Sequence, residues 1–187
     1  MKIKKLAAIC KKKKRAVIYE RHLEGGLVQQ YISDGYAMYP IFGLPRLSKE
    51  SLLMIFDVKE DEWDKWHVSV REDPEEVMTS DTFTPEQPLE RFYQPIVHNG
   101  RILKSVMLDG ETVFFDDAYI GPASDAKEIM YYGRRSRFGM PVITVKSGLM
   151  LLATIEPVAI ADDDWVEMME EMLAGCRCGK QVTDDAD

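Results

Sequence analysis

Catalysis and metal binding need nucleophiles, bases or ligands spaced so that they can converge, and in this chain the candidates are the histidines, the cysteines and the clustered acids. His22, His67 and His98 lie far apart, and none stands in a metal-ligand spacing or beside a nucleophile motif. Cys176-Arg177-Cys178 is a C-x-C with neither a second cysteine pair nor a nearby histidine, so it does not make a zinc set. Cys10 falls on the apolar side of a helical pattern and reads as a core residue. Asp116 and Asp117 end a strand-like run, and Asp162, Asp163 and Asp164 stand where acids cap a helix, which gives both groups a structural role. There is no Gly-rich phosphate loop, no G-x-S-x-G and no H-E-x-x-H. The expectation is a protein that is not an enzyme and that carries no cofactor and no metal.

The side chains that do cluster are cations. Lys2, Lys4, Lys5, Lys11, Lys12, Lys13, Lys14 and Arg15 all precede the first acid, Glu20, although the whole chain carries a formal net charge of −8 and its end from Asp162 is dominated by Asp and Glu. At about 100° per residue, a helix over residues 2–15 puts Ile3, Leu6, Ile9 and Cys10 on one side and Lys4, Lys5, Lys11, Lys12 and Arg15 on the other. A solvated helix face is one reading of this stripe. A face that tracks phosphates is the other, and the absence of interleaved acids favours it, because a merely soluble surface mixes signs.

The elements that would hold these residues follow from periodicity. At 187 residues and 45% hydrophobic content the chain can bury a core as one ordinary domain or two small ones. Residues 16–23, 27–33 and 36–42 read as a three-stranded antiparallel meander, with Asp34-Gly35 as a tight hairpin turn. Ser48 caps a second helix containing Leu52, Leu53, Ile55 and Phe56, and Trp66, Val68 and Val70 alternate as a further strand. Residues 72–91 are acidic and proline-containing and read as a mobile linker or surface loop. Strands resume over 92–98, 101–108 and 111–116. Residues 117–127 are ambiguous, since Gly121-Pro122 interrupts a helix there. The most strongly patterned stretch is 139–158, a hairpin whose arm Leu149–Ile155 is so apolar that it must be covered on both faces as a central strand. Trp165, Met168, Met169, Met172 and Leu173 repeat at helical spacing and give a C-terminal amphipathic helix.

The organisation expected is a first half over 1–71, the acidic segment 72–91, a second half over 92–160, the helix within 161–180 and a disordered tail at 181–187. The halves share an outline of hairpins plus a helical segment, which suggests a duplication. The apolar run Leu6–Cys10 is too short for an export signal and no run reaches the ~20 apolar residues of a membrane span, so the expected compartment is the cytoplasm, with no membrane partner.

Four pieces of this pattern resemble the DNA sliding clamps of the bacterial polymerase III beta-subunit type, such as a phage or mobile-element relative would carry. Tyr31-Ile-Ser-Asp-Gly-Tyr-Ala-Met38 resembles the clamp hairpin A-T-D-G-H-R-L, and Leu47–Val58 resembles the second helix of a clamp domain. Val113–Ala126 is similar to the N-x-x-Y-L-x-D-A-L segment that begins a later helix, and Pro141–Val158 to the final hairpin with its terminal M-P-V or M-P-M. The resemblance implies an α+β fold of duplicated β-α-β-β-β units, with antiparallel sheets, helices on one face and the C-terminal helix as an addition. It further implies a non-enzymatic protein that binds or tracks duplex DNA through Lys4, Lys5, Lys11, Lys12 and Arg15, without reading sequence, or docks replication proteins, as a homo-oligomer. In clamps the two hairpins help form a pocket for partner peptides, and the matching positions here are Ser33, Gly35, Tyr36, Met38, Pro157 and Val158. The competing expectation is an interaction or assembly protein that uses the same fold without touching DNA.

Overall fold

The computed structural model describes residues 1–72, 74–91, 94–160, 165–169 and 171–172. Asp162, Asp163, Asp164, Leu173, the Cys176/Cys178 pair and the tail lie outside the described residues. Helix α1 (Ile3–Lys13) opens without a side-chain cap. Its first turn is held instead by the Lys2 N–H, which donates to Pro122 O, and Lys14 closes it in the left-handed conformation (φ 47°). Lys11, Lys12 and Lys13 sit in its last turn, where cations meet the negative end of the helix dipole. The meander follows as β1 (Arg15–His22), β2 (Val28–Ser33) and β3 (Ala37–Ile41). Ser48 then caps α2 (Lys49–Ile55) in a reciprocal box with Ser51.

After α2 the chain returns to the far side of β1. Strand β4 (His67–Glu72) pairs with β1 in parallel, from Arg15↔His67 to Glu20↔Glu72. The expectation of purely antiparallel sheets is corrected here. A crossover through α2 carries the chain back along the direction of β1, and a helical connection of that kind delivers a parallel strand. The acidic segment then contributes a short helix, α3 (Glu76–Thr79), and two strand fragments, β5 (Gln87–Pro88) and β6 (Glu90–Arg91).

The second half gives β7 (Ile96–His98), β8 (Arg101–Leu108), β9 (Glu111–Asp116), a 3₁₀ helix over Asp117–Ala123, β10 (Met130–Arg135), β11 (Pro141–Ser147) and β12 (Met150–Ile155). The ambiguous stretch is thus a 3₁₀ turn that carries the Gly121-Pro122 pair. It has a packing consequence: a Cβ on Gly121 would lie 3.2 Å from Cδ of Lys5, so glycine lets the lysine stem cross the turn.

The two meanders meet edge to edge. One eight-stranded mixed sheet runs β4-β1-β2-β3-β12-β11-β10-β5, and β8 pairs with β6, β7 and β9 in a smaller antiparallel sheet. The seam between halves is short: β3 and β12 register only at Met38↔Thr154 and Ala37↔Ile155, extended by the Glu156 N–H donating to Tyr36 O at 2.7 Å. β12 is a central strand, with Leu151, Ala153 and Ile155 buried, but the expected arm is covered only from Leu151 onward: Leu149 and Met150, at the turn, are exposed.

One face of the large sheet carries the main core. Ala16, Ile18, Ile32, Tyr39, Ile143 and Ile155 meet Leu6 and Cys10 of α1, Leu52 and Leu53 of α2, and Val106, Leu108 and Phe115 of the small sheet. Gly133 admits that second sheet, because a Cβ there would lie 2.3 Å from Cδ1 of Leu108. Cys10 is part of this core, and burial, reinforced by the Asp34 charge, pushes its thiol up to about 12, which leaves no thiolate for chemistry.

The opposite face was expected to be bare of helices. It carries α3, whose Met78 packs on the Tyr31, Met38 and Leu151 cluster. Segment 74–88 is strapped across this face largely by its backbone. Thr79 O accepts from Tyr31 Oη, Val77 O from Arg134 Nη1 and Met78 O from Thr154 Oγ1, while Asp81 Oδ1 accepts the Leu151 N–H. The outer face of the small sheet is covered by Trp165 and Met169 of the C-terminal helical segment, the Trp165 ring lying tilted at 4.5 Å from His98 and 5.5 Å from Phe114. Among the described residues no helix is long and apolar enough to cross a membrane.

Candidate docking groove and lysine face

The β2–β3 turn is built by its own side chains. Ser33 Oγ accepts the Gly35 N–H, and Asp34 Oδ1 accepts the N–H groups of Tyr36 and Ala37, each at 3.0 Å. Gly35 takes φ +102°, which a side chain would strain. Asp34 is buried, and its second oxygen accepts from Tyr119 Oη at 3.1 Å, while Tyr39 Oη donates to Tyr119 O at 2.8 Å. Burial, and then the Asp34 charge, raise both phenols above their ordinary range, so they stay neutral donors. The network anchors the tip of one meander to the 3₁₀ turn of the other half.

That tip forms one wall of a groove of about 1090 Å³. Beyond β12 the chain runs from Tyr36 O to β9, where the Val158 N–H donates to Phe114 O at 2.8 Å. The strap supplies Glu75, Val77 and Met78, and the β10–β11 turn supplies Phe138 and Met140. Ser33, Gly35, Tyr36, Met38, Pro157 and Val158 all line this one cavity. They come together because the β3–β12 seam places the turn at 34–36 beside the segment that follows Ile155. Large apolar groups are open to solvent along it: Tyr36 is 46% exposed, Met140 64% and Phe138 74%. Phe138 and Met140 were not singled out from sequence, since a Phe and a Met beside a glycine turn resemble any loop residues.

Charge in the groove is mixed. Lys13 Nζ stands 3.8 Å above the Tyr36 ring, and Glu75 pairs with Arg137 at 3.3 Å. Partial burial, with the nearby charges of Asp34 and Glu75, raises the Glu156 carboxyl above the usual carboxylate range.

The cationic stripe divides. Lys4, Lys5, Lys11 and Lys12 are exposed on the side of α1 opposite Leu6, Ile9 and Cys10, as the wheel requires. Lys5 Nζ reaches Ser124 Oγ and Lys11 Nζ reaches Asp57 O, and among the described residues none of the four forms an ion pair with an acid. Arg15 does not belong to that face. It begins β1, past the helix end, and its guanidinium lies against the Gly35 turn.

No family model, curated protein or solved structure matches this chain.

One further constellation was invisible in sequence. Glu20, His22 and Glu72 bring ligand atoms within 4.8 Å of one another through the parallel β1–β4 ladder. The Glu20 carboxylate is already committed, however: it accepts from Gln30 Nε2 and, bidentately, from Arg46 Nε and Nη2. The Arg46 bonds, with Gln30, hold its pKa down. A cation would have to displace the guanidinium.

Proposed function

We propose that this chain is a non-enzymatic docking protein whose groove takes an extended segment of a partner protein with apolar anchor side chains. The carrying observation is the convergence of the β2–β3 turn, the segment after β12, the strap and the β10–β11 turn on one open groove with exposed aromatic and Met side chains. Grooves that admit a partner's anchors are apolar with a few placed polar groups, and aromatic residues dominate their energetics. The resemblance to sliding clamps supports the same reading, because the positions that match the clamp peptide pocket all line this groove. In that setting the partners are replication proteins.

A panel of short synthetic peptides with Leu and Phe anchors, titrated against the chain by nuclear magnetic resonance, tests this reading. Shifts should concentrate at Tyr36, Met38, Phe114 and Val158. The double variant Y36A/F138A should weaken binding by about 1–3 kcal/mol while unfolding as the parent does, since both rings are exposed. Shifts spread evenly over the surface, or none, would remove the groove as a docking site.

A second reading, contact with duplex DNA through α1, is favoured by the four exposed lysines that lack acidic partners. Lysines facing phosphates release counterions and read no bases, so affinity should fall with salt at roughly −0.9 in log–log slope per phosphate contact. Lys4 and Lys12 carry no hydrogen bond or ion pair among the described residues, so K4E/K12E is the clean reversal. Duplex binding at about 50 mM salt should be lost with the melting temperature unchanged. If the parent shows no binding there, the stripe is a solvated face. Encircling a duplex would also require several copies, so this reading carries a homo-oligomer that sedimentation can detect.

A further inference from the structure

Strand β4 is the outermost strand of the large sheet, and among the described residues no strand pairs with its free side. The His67 N–H donates to Lys14 O at 2.9 Å, so by alternation the amides of His67, Ser69 and Arg71 face β1 while those of Val68, Val70 and Glu72 face outward. All but Val68 are exposed, and Val70 is 51% exposed. The other end of the sheet is blunted, because β5 has two residues and contains Pro88. β4 has no proline, no glycine and no register shift against β1. Such a row of open donors and acceptors is a template for an added strand.

The surroundings select the sign of what can pair. Glu60, Asp61, Glu62 and Asp64 precede β4, and Glu72, Glu75 and Glu76 end or follow it, against only Lys65 and Arg71 over the same stretch. A second copy of this edge would bring acids against acids, whereas a basic strand is attracted. We infer that β4 accepts, by strand addition, an extended segment of a partner protein that carries basic side chains at alternating positions. Arg71 and Glu72 also line the groove, so an added strand would run toward its mouth, but the inference does not depend on what the groove binds.

Amide hydrogen exchange on the full chain, with a short synthetic peptide of alternating Lys and Val as probe, tests this directly. Exchange at Val68, Val70 and Glu72 should slow by roughly tenfold or more, while His67, Ser69 and Arg71, already bonded to β1, should not change. V70P removes an outward-facing N–H and should abolish the protection. D61K/D64K, at exposed positions off the strand, should weaken peptide binding about tenfold and supports the inference even if the proline variant unfolds. Y36A/F138A should leave the protection intact, which separates this edge from the groove. No protection at saturating peptide, or equal protection by a peptide of alternating Glu and Val, would overturn it.

Discussion

Replacing Glu86 by Ala is expected to destabilise the protein by about 3–5 kcal/mol, read by urea unfolding at neutral pH. Two cations converge on this single carboxylate beneath the strap. The Arg134 side chain is fully buried and donates Nε to Glu86 Oε2 at 2.8 Å, and Lys146, 4% exposed, pairs with Glu86 Oε1. Their remaining contacts are weak substitutes. Arg134 Nη1 bonds Val77 O and its guanidinium lies 5.2 Å from the Phe83 ring, and Lys146 Nζ lies 4.9 Å from the Tyr132 ring. Without the carboxylate two desolvated charges remain uncompensated, at a cost of several kcal/mol. Replacing the whole set at once, E86L/R134M/K146M, should recover most of the loss, because the penalty comes from uncompensated charge rather than from the net strength of the pairing. A loss below about 1 kcal/mol for E86A would show that both cations reach solvent.

Leu151→Ala is expected to cost about 2–5 kcal/mol in the same assay. Leu151 is 1% exposed on the strap-covered face and packs with Tyr31 and Met38 beneath Met78. Truncation leaves a cavity between a central strand and a segment tied down on both sides of it, so the site has little freedom to collapse. A cost near zero would place the side chain at the surface and refute the covered central strand.

These two positions mark where the sequence is informative and where it is silent. The β-branched arm of Val142, Ile143 and Val145 and the apolar arm to Ile155 announce a buried hairpin, and the burial of Leu151 follows from it. Asp34-Gly35 announces its turn through the one residue type that accepts φ +102°. The two faces of α1 are readable because periodicity is a local property. Glu86 is not readable. Its segment looks like a loop because it is acidic and proline-containing, yet it is held by carbonyl oxygens of Val77, Met78 and Thr79, groups that every residue carries and no composition reveals. Lys146 sits beside the Ser147-Gly148 turn, and only the cover over β11 makes it a buried cation. The parallel placement of β4, and with it the meeting of Glu20 with Glu72, depends on where the chain lands after α2. For the groove, the residues on the two hairpin tips came from a resemblance to clamps, whereas Phe138, Met140 and the strap residues required the pairing of β3 with β12.

The strap does two things at once. Val77 and Met78 line the groove, and the carbonyls of Met78 and Thr79 accept from Thr154 of β12 and Tyr31 of β2, on either side of a seam that registers at only two pairs of residues. Occupancy of the groove and cohesion of the halves are therefore thermodynamically linked. Whatever fills the groove pays into the same equilibrium that keeps the meanders joined, so a ligand bound at a hundredfold its dissociation constant would add about 2.7 kcal/mol to the unfolding free energy. A partner of this protein would act as its chaperone by mass action, and the free chain would be the more easily opened form.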